Sequence, residues 1–236
     1  SNLPISVDGW RSEYENTLAM ASEVRKELDL GVRVILGPHP ASWVQQRQAL
    51  GTEVASELYI DAVELAIEYC NEGQACAVGE VGRPHWKVED DVWIEANELL
   101  SWTMKRAAKE NLTLQLHVEG NGASTYAELA AMADRCGLSR GSLVRHHAPS
   151  EVDAATTAGL VPSVVVGKGS VETIMATIAD CYDGFVMETD YMDDPRRPGA
   201  VLGPKTVPKR TQALVAAGLD EEKLWLAHHE IPLRLY

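Results

Sequence analysis

Five short apolar runs in this sequence each end in a residue able to hold a metal ion or move a proton. They are Leu36-Gly37-Pro38-His39-Pro40, Val78-Gly79-Glu80-Val81-Gly82, Leu116-His117-Val118-Glu119-Gly120, Val144-Arg145-His146-His147-Ala148 and Met187-Glu188-Thr189-Asp190-Tyr191. Imidazole is a good zinc donor, and a carboxylate has two oxygens with which to bridge a pair of ions. A divalent ion so held lowers the pKa of its water toward neutrality, which is the basis of metal-assisted hydrolysis. Taken singly, each residue also has a plain structural role: Glu80 as an ion-pair partner, His117 as a satisfied core histidine, Asp190 as a cap. Their shared position after an apolar run favours one converging site, because the runs are spaced by about one strand-plus-helix unit and the ends of parallel barrel strands meet at one rim.

The elements that must position these residues follow from periodicity. Leu18, Met20, Ala21, Val24 and Leu28 recur at helical spacing between 12 and 29, and Gly31 stops the helix before a strand at 32–36. The alternation continues with helix 52–71, strand 75–79, helix 91–110, strand 112–118, helix 123–135 and strand 142–146. A short helix 151–158, strand 160–166, helix 170–181, strand 184–188 and a helical region from about 206 complete it. Six strands alternating with helices predict a parallel α/β sheet.

Two architectures accept that pattern. An open doubly wound sheet needs only five or six strands, whereas a TIM-like (β/α)8 barrel needs eight. In the segment 112–119, Thr113, Gln115, His117 and Glu119 share one face and the leucines the other. A polar face must look into something wet or catalytic, as the inside of a barrel near its rim does and a sheet covered on both faces does not. The expectation is therefore a single barrel domain over 1–236, with the first one or two βα units outside this sequence and the chain N-terminally truncated.

Bulk properties narrow the function. The chain has 236 residues, 45% of them hydrophobic, enough for one large core, and a formal charge of −14. That charge disfavours stable binding to double-stranded DNA and leaves any attraction of an anion to local cations. Four scattered cysteines without a CxxC pair read as reduced core thiols, and no signal-like or membrane-spanning run is present, so a cytoplasmic protein without a membrane partner is expected.

Such local cations exist. Val164-Val165-Val166-Gly167-Lys168-Gly169-Ser170 passes from a strand through a Gly-Lys-Gly turn into a helix, offering backbone N–H groups and the Lys168 ammonium to an anion. Arg196, Arg197 and Lys205 follow the last strand, and barrels often hold phosphate with their seventh and eighth loops. A turn needing positive φ and a solvated charge cluster are the bland alternatives. Weaker candidates are Arg83, His85 and Trp86 in the loop after Glu80, Tyr191 and Met192 beside Asp190, and His228 and His229, for which capping or packing is the plainer role.

The motifs resemble those of the TatD-type metal-dependent hydrolases, a family of amidohydrolase-like TIM barrels. Gly37-Pro38-His39-Pro40 is similar to their GxHP motif, Gly79-Glu80-Val81-Gly82 to GEIG, Leu116-His117 to the strand-ending histidine, and Glu188-Thr189-Asp190 to ETD. His146-His147-Ala148-Pro149-Ser150 stands where the family has HCFSG. By this resemblance Glu80 bridges two ions, His117 and His146 each hold one, and Asp190 is a ligand that also contacts the attacking water. Glu80 and Asp190 are then the catalytic residues, with one or two divalent ions (Zn, Mg or Mn) as cofactor. His39 takes a role toward substrate or behind the ligands, and His147, Lys168, Arg196 and Arg197 are assigned to substrate.

Three departures accompany the resemblance. The family's HxH pair on the first strand has no counterpart, in keeping with the strand count. Glu119 stands where an arginine usually follows the strand-ending histidine. HCFSG has become a segment with two adjacent histidines, of which His146 is favoured because it takes the first place of the motif; if the strand continues regularly the adjacent side chain points the other way, so both cannot be ligands. The implied activity is hydrolysis of a phosphodiester or phosphate ester, such as a DNase performs, on an anionic small molecule or nucleic-acid fragment. Cleavage of an amide, ester or lactone is the alternative, and a metal-free barrel acting as a binding or scaffold module is the third reading.

Overall fold

The structure is a computed structural model that describes residues 3–192 and 202–236. Arg196 and Arg197 lie outside the described residues. Helix α1 (Val7–Leu28) begins where the Ser6 hydroxyl accepts the Gly9 N–H, five residues before the periodicity predicts. Strand β1 (Ile35–Leu36) is followed by α2 (Pro40–Leu50), α3 (Thr52–Asn71), β2 (Ala77–Gly82) and α4 (Asp90–Glu110). Next come β3 (Leu114–His117), α5 (Ala123–Cys136), β4 (Leu143–Ala148), α6 (Ala154–Thr157), β5 (Val161–Val165), α7 (Ser170–Thr177) and β6 (Val186–Glu188). Helices α8 (Thr206–Ala216), α9 (Glu221–Trp225) and α10 (Ile231–Leu235) close the chain, with a π-helical turn, Leu226–Glu230, joining the last two.

All six predicted strands are present. Helix α2 was not anticipated, because its buried residues Pro40, Trp43 and Gln46 include a proline and a glutamine and give no apolar stripe. Local chemistry starts it instead: Pro40 opens the first turn and His39 caps it through Nδ1, 3.0 Å from the Ala41 N–H.

Every strand is parallel to its neighbour, and the order in the sheet is β1-β2-β3-β4-β5-β6. This order decides between the two architectures. A doubly wound sheet reverses direction at a switch point, whereas right-handed crossovers that never reverse keep all helices on one face and curl the sheet into a barrel wall. The chain thus forms six strands of a TIM-like α/β barrel. Along β3, Leu114 and Leu116 are fully buried in the layer shared with helices α3, α4 and α5, and Gln115 and His117 take the inner face. Truncating either leucine to alanine costs about 2–5 kcal/mol by the usual cavity penalty.

The lower end of the wall is closed by the C-terminal helix. Val144, Val161 and Val186, at the starts of β4, β5 and β6, pack against Ile231, Leu235 and Tyr236. The Tyr236 hydroxyl donates to Gln115 Oε1 at 3.3 Å. The opposite end, where the strands finish, is left for the site. No helix of the described residues is long and apolar enough to cross a membrane.

Candidate metal centre

Two β-bulges place the central side chains. In β2, Val78 lies opposite Leu114 and Val81 opposite Leu116, so Gly79 and Glu80 together face Gln115. In a regular pleat Glu80 would fall opposite Leu116 and enter the apolar layer; the extra residue keeps Val81 there and turns Glu80 inward. Gly79 is required at this step, since a Cβ on it would lie 2.6 Å from the Gln115 Cβ. At the end of the strand Gly82 has φ 153, and its Cβ would meet the His117 carbonyl oxygen at 2.0 Å.

The same device recurs in β4. Arg145 pairs with Pro162 and Ala148 with Val164, leaving His146 and His147 opposite Ser163 alone. Arg145 faces outward, where its guanidinium covers the Tyr126 ring at 4.4 Å. The strand is therefore not regular here, and the alternation that would turn His147 to the opposite face from His146 does not apply. His147 adopts φ 51 and stays at the rim, 64% exposed, with Nε2 4.0 Å from Asp190 Oδ2.

Glu80 is the hub. Its Oε2 lies 3.0 Å from His117 Nδ1 and 3.6 Å from His39 Nε2, while Oε1 lies 3.3 Å from His146 Nε2. The same His146 nitrogen is 3.7 Å from Asp190 Oδ1. Behind His146, Glu188 accepts from Nδ1 at 3.1 Å and from the His147 N–H at 2.9 Å, and the Ser163 hydroxyl donates to it as well. Behind His117, His85 Nδ1 stands 2.6 Å from Nε2.

The electrostatics follow from these contacts. Burial alone would raise the Glu80 pKa, but the His117 hydrogen bond and the nearby His146 outweigh it and hold the carboxylate below its usual range. Burial would lower the His146 pKa, yet the Glu188 hydrogen bond and charge, with Glu80 and Asp190, raise it. His39 has no such partner: burial, then His117, push it down to about 4, with Glu80 opposing. His85 is lowered by burial and by His117 and His147.

The donor chemistry tests whether a metal belongs here. With Nδ1–H given to Glu188, a neutral His146 presents the Nε2 lone pair to two carboxylate oxygens, an arrangement that calls for a proton or a cation between them. The two Glu80 oxygens face different imidazoles, as a bridging carboxylate requires. These nitrogen and oxygen donors suit a divalent ion. Donor atoms of His39, Glu80 and His117 also lie within 4.8 Å of one another. His39 is nonetheless a poor ligand. Its Nδ1 accepts the Ala41 N–H, so the neutral ring carries its proton on Nε2, the nitrogen that faces Glu80.

The cleft has a volume of about 800 Å3, and Thr189, Tyr191, Met192 and Ile35 extend its walls. It brings together His39, Glu80, His117, His146 and Asp190, with His147 at the edge. Lys168 is exposed in the turn after β5 and does not line it. His228 bonds Thr211 at 2.9 Å and His229 packs on Trp225 at 4.4 Å, so both serve the C-terminal helices. Sequence reasoning missed Glu188 and Ser163 as functional candidates. Glu188 had a signal, since it precedes Asp190 by two residues and ends an apolar strand.

Glu119 does not enter the cleft as a free acid. Arg83, 2% exposed, binds it through Nε at 2.8 Å and Nη2 at 2.5 Å, and also bonds Asn97 and Glu128. All three guanidinium nitrogens are engaged, and the cation is as unavailable to a substrate as the glutamate's charge.

Comparison with known proteins adds two findings. A family model described as TatD related DNase matches residues 7–236. An uncharacterized protein of Methanocaldococcus jannaschii is 34% identical over 204 residues, covering 86% of this chain and 71% of that protein.

Proposed function

Because the chain belongs to the TatD related DNase family, a family of metal-dependent hydrolases, we propose that it is a phosphodiesterase or phosphate esterase working at the upper rim of one barrel domain. Glu80, His117, His146 and Asp190 hold one or two divalent ions of the zinc, magnesium or manganese type. The observation that carries this reading is the position of Glu80 between His117 and His146, one oxygen toward each. When bound, the ions supply a water of lowered pKa and a Lewis acid for the phosphoryl oxygen.

The chain's own residues do the rest. Asp190 is held with φ 49, a backbone state uncommon for a residue with a side chain, and its carboxylate reaches toward both His146 and His147. There it orients the attacking water, accepts its proton and returns that proton to the leaving oxygen. Glu188 fixes the His146 ring. His39 donates Nε2–H toward the site, and His147 meets the substrate at the mouth. Lys168, outside the cleft wall, acts with Arg196 and Arg197 by attracting an anionic substrate, a small phosphate ester or a nucleic-acid fragment, through longer-range charge.

A second reading, hydrolysis of an amide, ester or lactone, is favoured by one observation: the position after His117 where a phosphate-holding cation is expected carries Glu119, paired with Arg83. Single-stranded oligonucleotides, phosphate monoesters and lactones assayed side by side separate the two. Cleavage of the phosphate substrates alone, weakened by Lys168→Ala and Arg196→Ala, is expected. Turnover of lactones alone, indifferent to both variants, would overturn the proposal.

A further inference from the structure

A second cleft, of about 310 Å3, opens beside the first. The two share His85, the imidazole that contacts His117. Trp86 and Trp93 form the aromatic part of the second cleft. One face of Trp93 is taken by the Arg83 guanidinium at 4.5 Å. Trp86 is open, 37% exposed, and stands edge-on to His85 with ring centroids 4.9 Å apart and planes at 80°.

A single exposed aromatic explains nothing by itself. This one is different in being held in place in a cleft that shares His85 with the cleft of the candidate metal centre. The Arg83 N–H donates to the His117 carbonyl at 3.1 Å, and the Arg83 side chain bonds Glu119, Asn97 and Glu128, so the loop that carries His85 and Trp86 is tied to the ends of β2 and β3. Glu119 is spent on Arg83 and Thr125. The polar side chains that line this cleft include the Lys87 ammonium, the Asp90 carboxylate and the Asn121 amide. An open indole, a neighbouring imidazole, hydrogen-bonding groups for a heterocycle edge and one cation for a phosphate match one kind of occupant, a nucleotide with its base unstacked.

We propose that the His85–Trp86 cleft is a base-binding subsite, in which the heterocycle of the nucleotide next to the scissile phosphodiester lies against Trp86. The proposal rests on the nuclease reading above and narrows it: the substrate is single-stranded or frayed, since a base within a duplex cannot reach the indole.

The test compares metal-loaded wild-type protein, Trp86→Ala and Trp86→Phe on oligothymidylate and on an oligomer of the same length with abasic sites. The wild type should show a KM for the abasic oligomer roughly tenfold or more above that for oligothymidylate, the size expected of one stacked base. Trp86→Ala should bring that ratio near one, and Trp86→Phe should keep most of it. A ratio unchanged in Trp86→Ala, or a wild type that cleaves both oligomers with equal KM, overturns the subsite. A wild type that cleaves neither oligomer while hydrolysing another ester refutes the nuclease reading and the subsite with it. That failure is visible without any variant, so the two are distinguishable.

Discussion

Glu188 accepts the Nδ1–H of His146 at 3.1 Å, and through that bond it decides which nitrogen of the ring faces the cleft. A histidine fixed in this way offers Nε2 as a lone pair, oriented and made more basic by the carboxylate behind it. Glu188→Gln, which keeps an acceptor and loses the charge, is expected to weaken metal binding by about 10- to 100-fold. Competition against a chromophoric chelator measures it. An unchanged affinity would leave Glu188 as a strand-end residue with no influence on the centre.

Asp190→Asn should lower turnover by at least about 100-fold, the usual contribution of a positioned proton acceptor. Elemental analysis of the same preparation reports whether metal is retained. Full activity in a variant that keeps its metal would remove Asp190 from proton transfer.

The Arg83–Glu119 pair predicts an asymmetry in stability. Glu119→Ala leaves a nearly fully buried guanidinium with only the exposed Glu128 as charged partner, and about 3 kcal/mol of destabilisation in urea titration is expected. The double variant Arg83→Met, Glu119→Leu removes both charges and should recover much of that loss. Glu119→Arg, which would restore the residue common in the family, sets two guanidinium groups against each other and should fold worse than Glu119→Ala. Equal stability of the single and double variants would mean that the pair contributes no coupling.

His39 gives the chelator-treated protein a pH dependence of definite sign. Its folded pKa is pushed to about 4, against 6.5 for the unfolded chain. Between those values the unfolded chain carries the proton and the folded one does not, so stability rises with pH across the window and falls as the pH drops. His39→Asn keeps a side-chain acceptor for the Ala41 N–H and removes the titration. Unfolding midpoints at pH 4.5 and 7 should therefore differ less in this variant than in the wild type; an identical difference would assign the effect to other groups.

Much of the site was legible because its residues end apolar runs. His39, Glu80, His117, His146 and Asp190 could be ordered along a barrel rim before any coordinates, and the six strands with them. The bulges were not legible. A bulge depends on how many residues the neighbouring strand presents, and nothing in Val78-Gly79-Glu80-Val81 reports the spacing of Leu114 and Leu116. The charge of Glu119 was misleading for a similar reason, since its partner Arg83 is 36 positions away, in the loop that follows β2. Helix α2 escaped because it buries Gln46 and Trp43 rather than an aliphatic stripe.

The bulges make chain length itself a determinant of the site. Between the outward residues Val78 and Val81, and again between Arg145 and Ala148, the chain holds two residues where a regular strand holds one. Deleting either member of the pair Gly79-Glu80 or His146-His147 would leave one inward position, level with Gln115 or Ser163, where two residues now stand. The apolar layer would be untouched. Loss of a single codon at these two places is therefore a cleaner way to silence the centre than most substitutions, and an insertion tolerated in any surface loop would not be tolerated here.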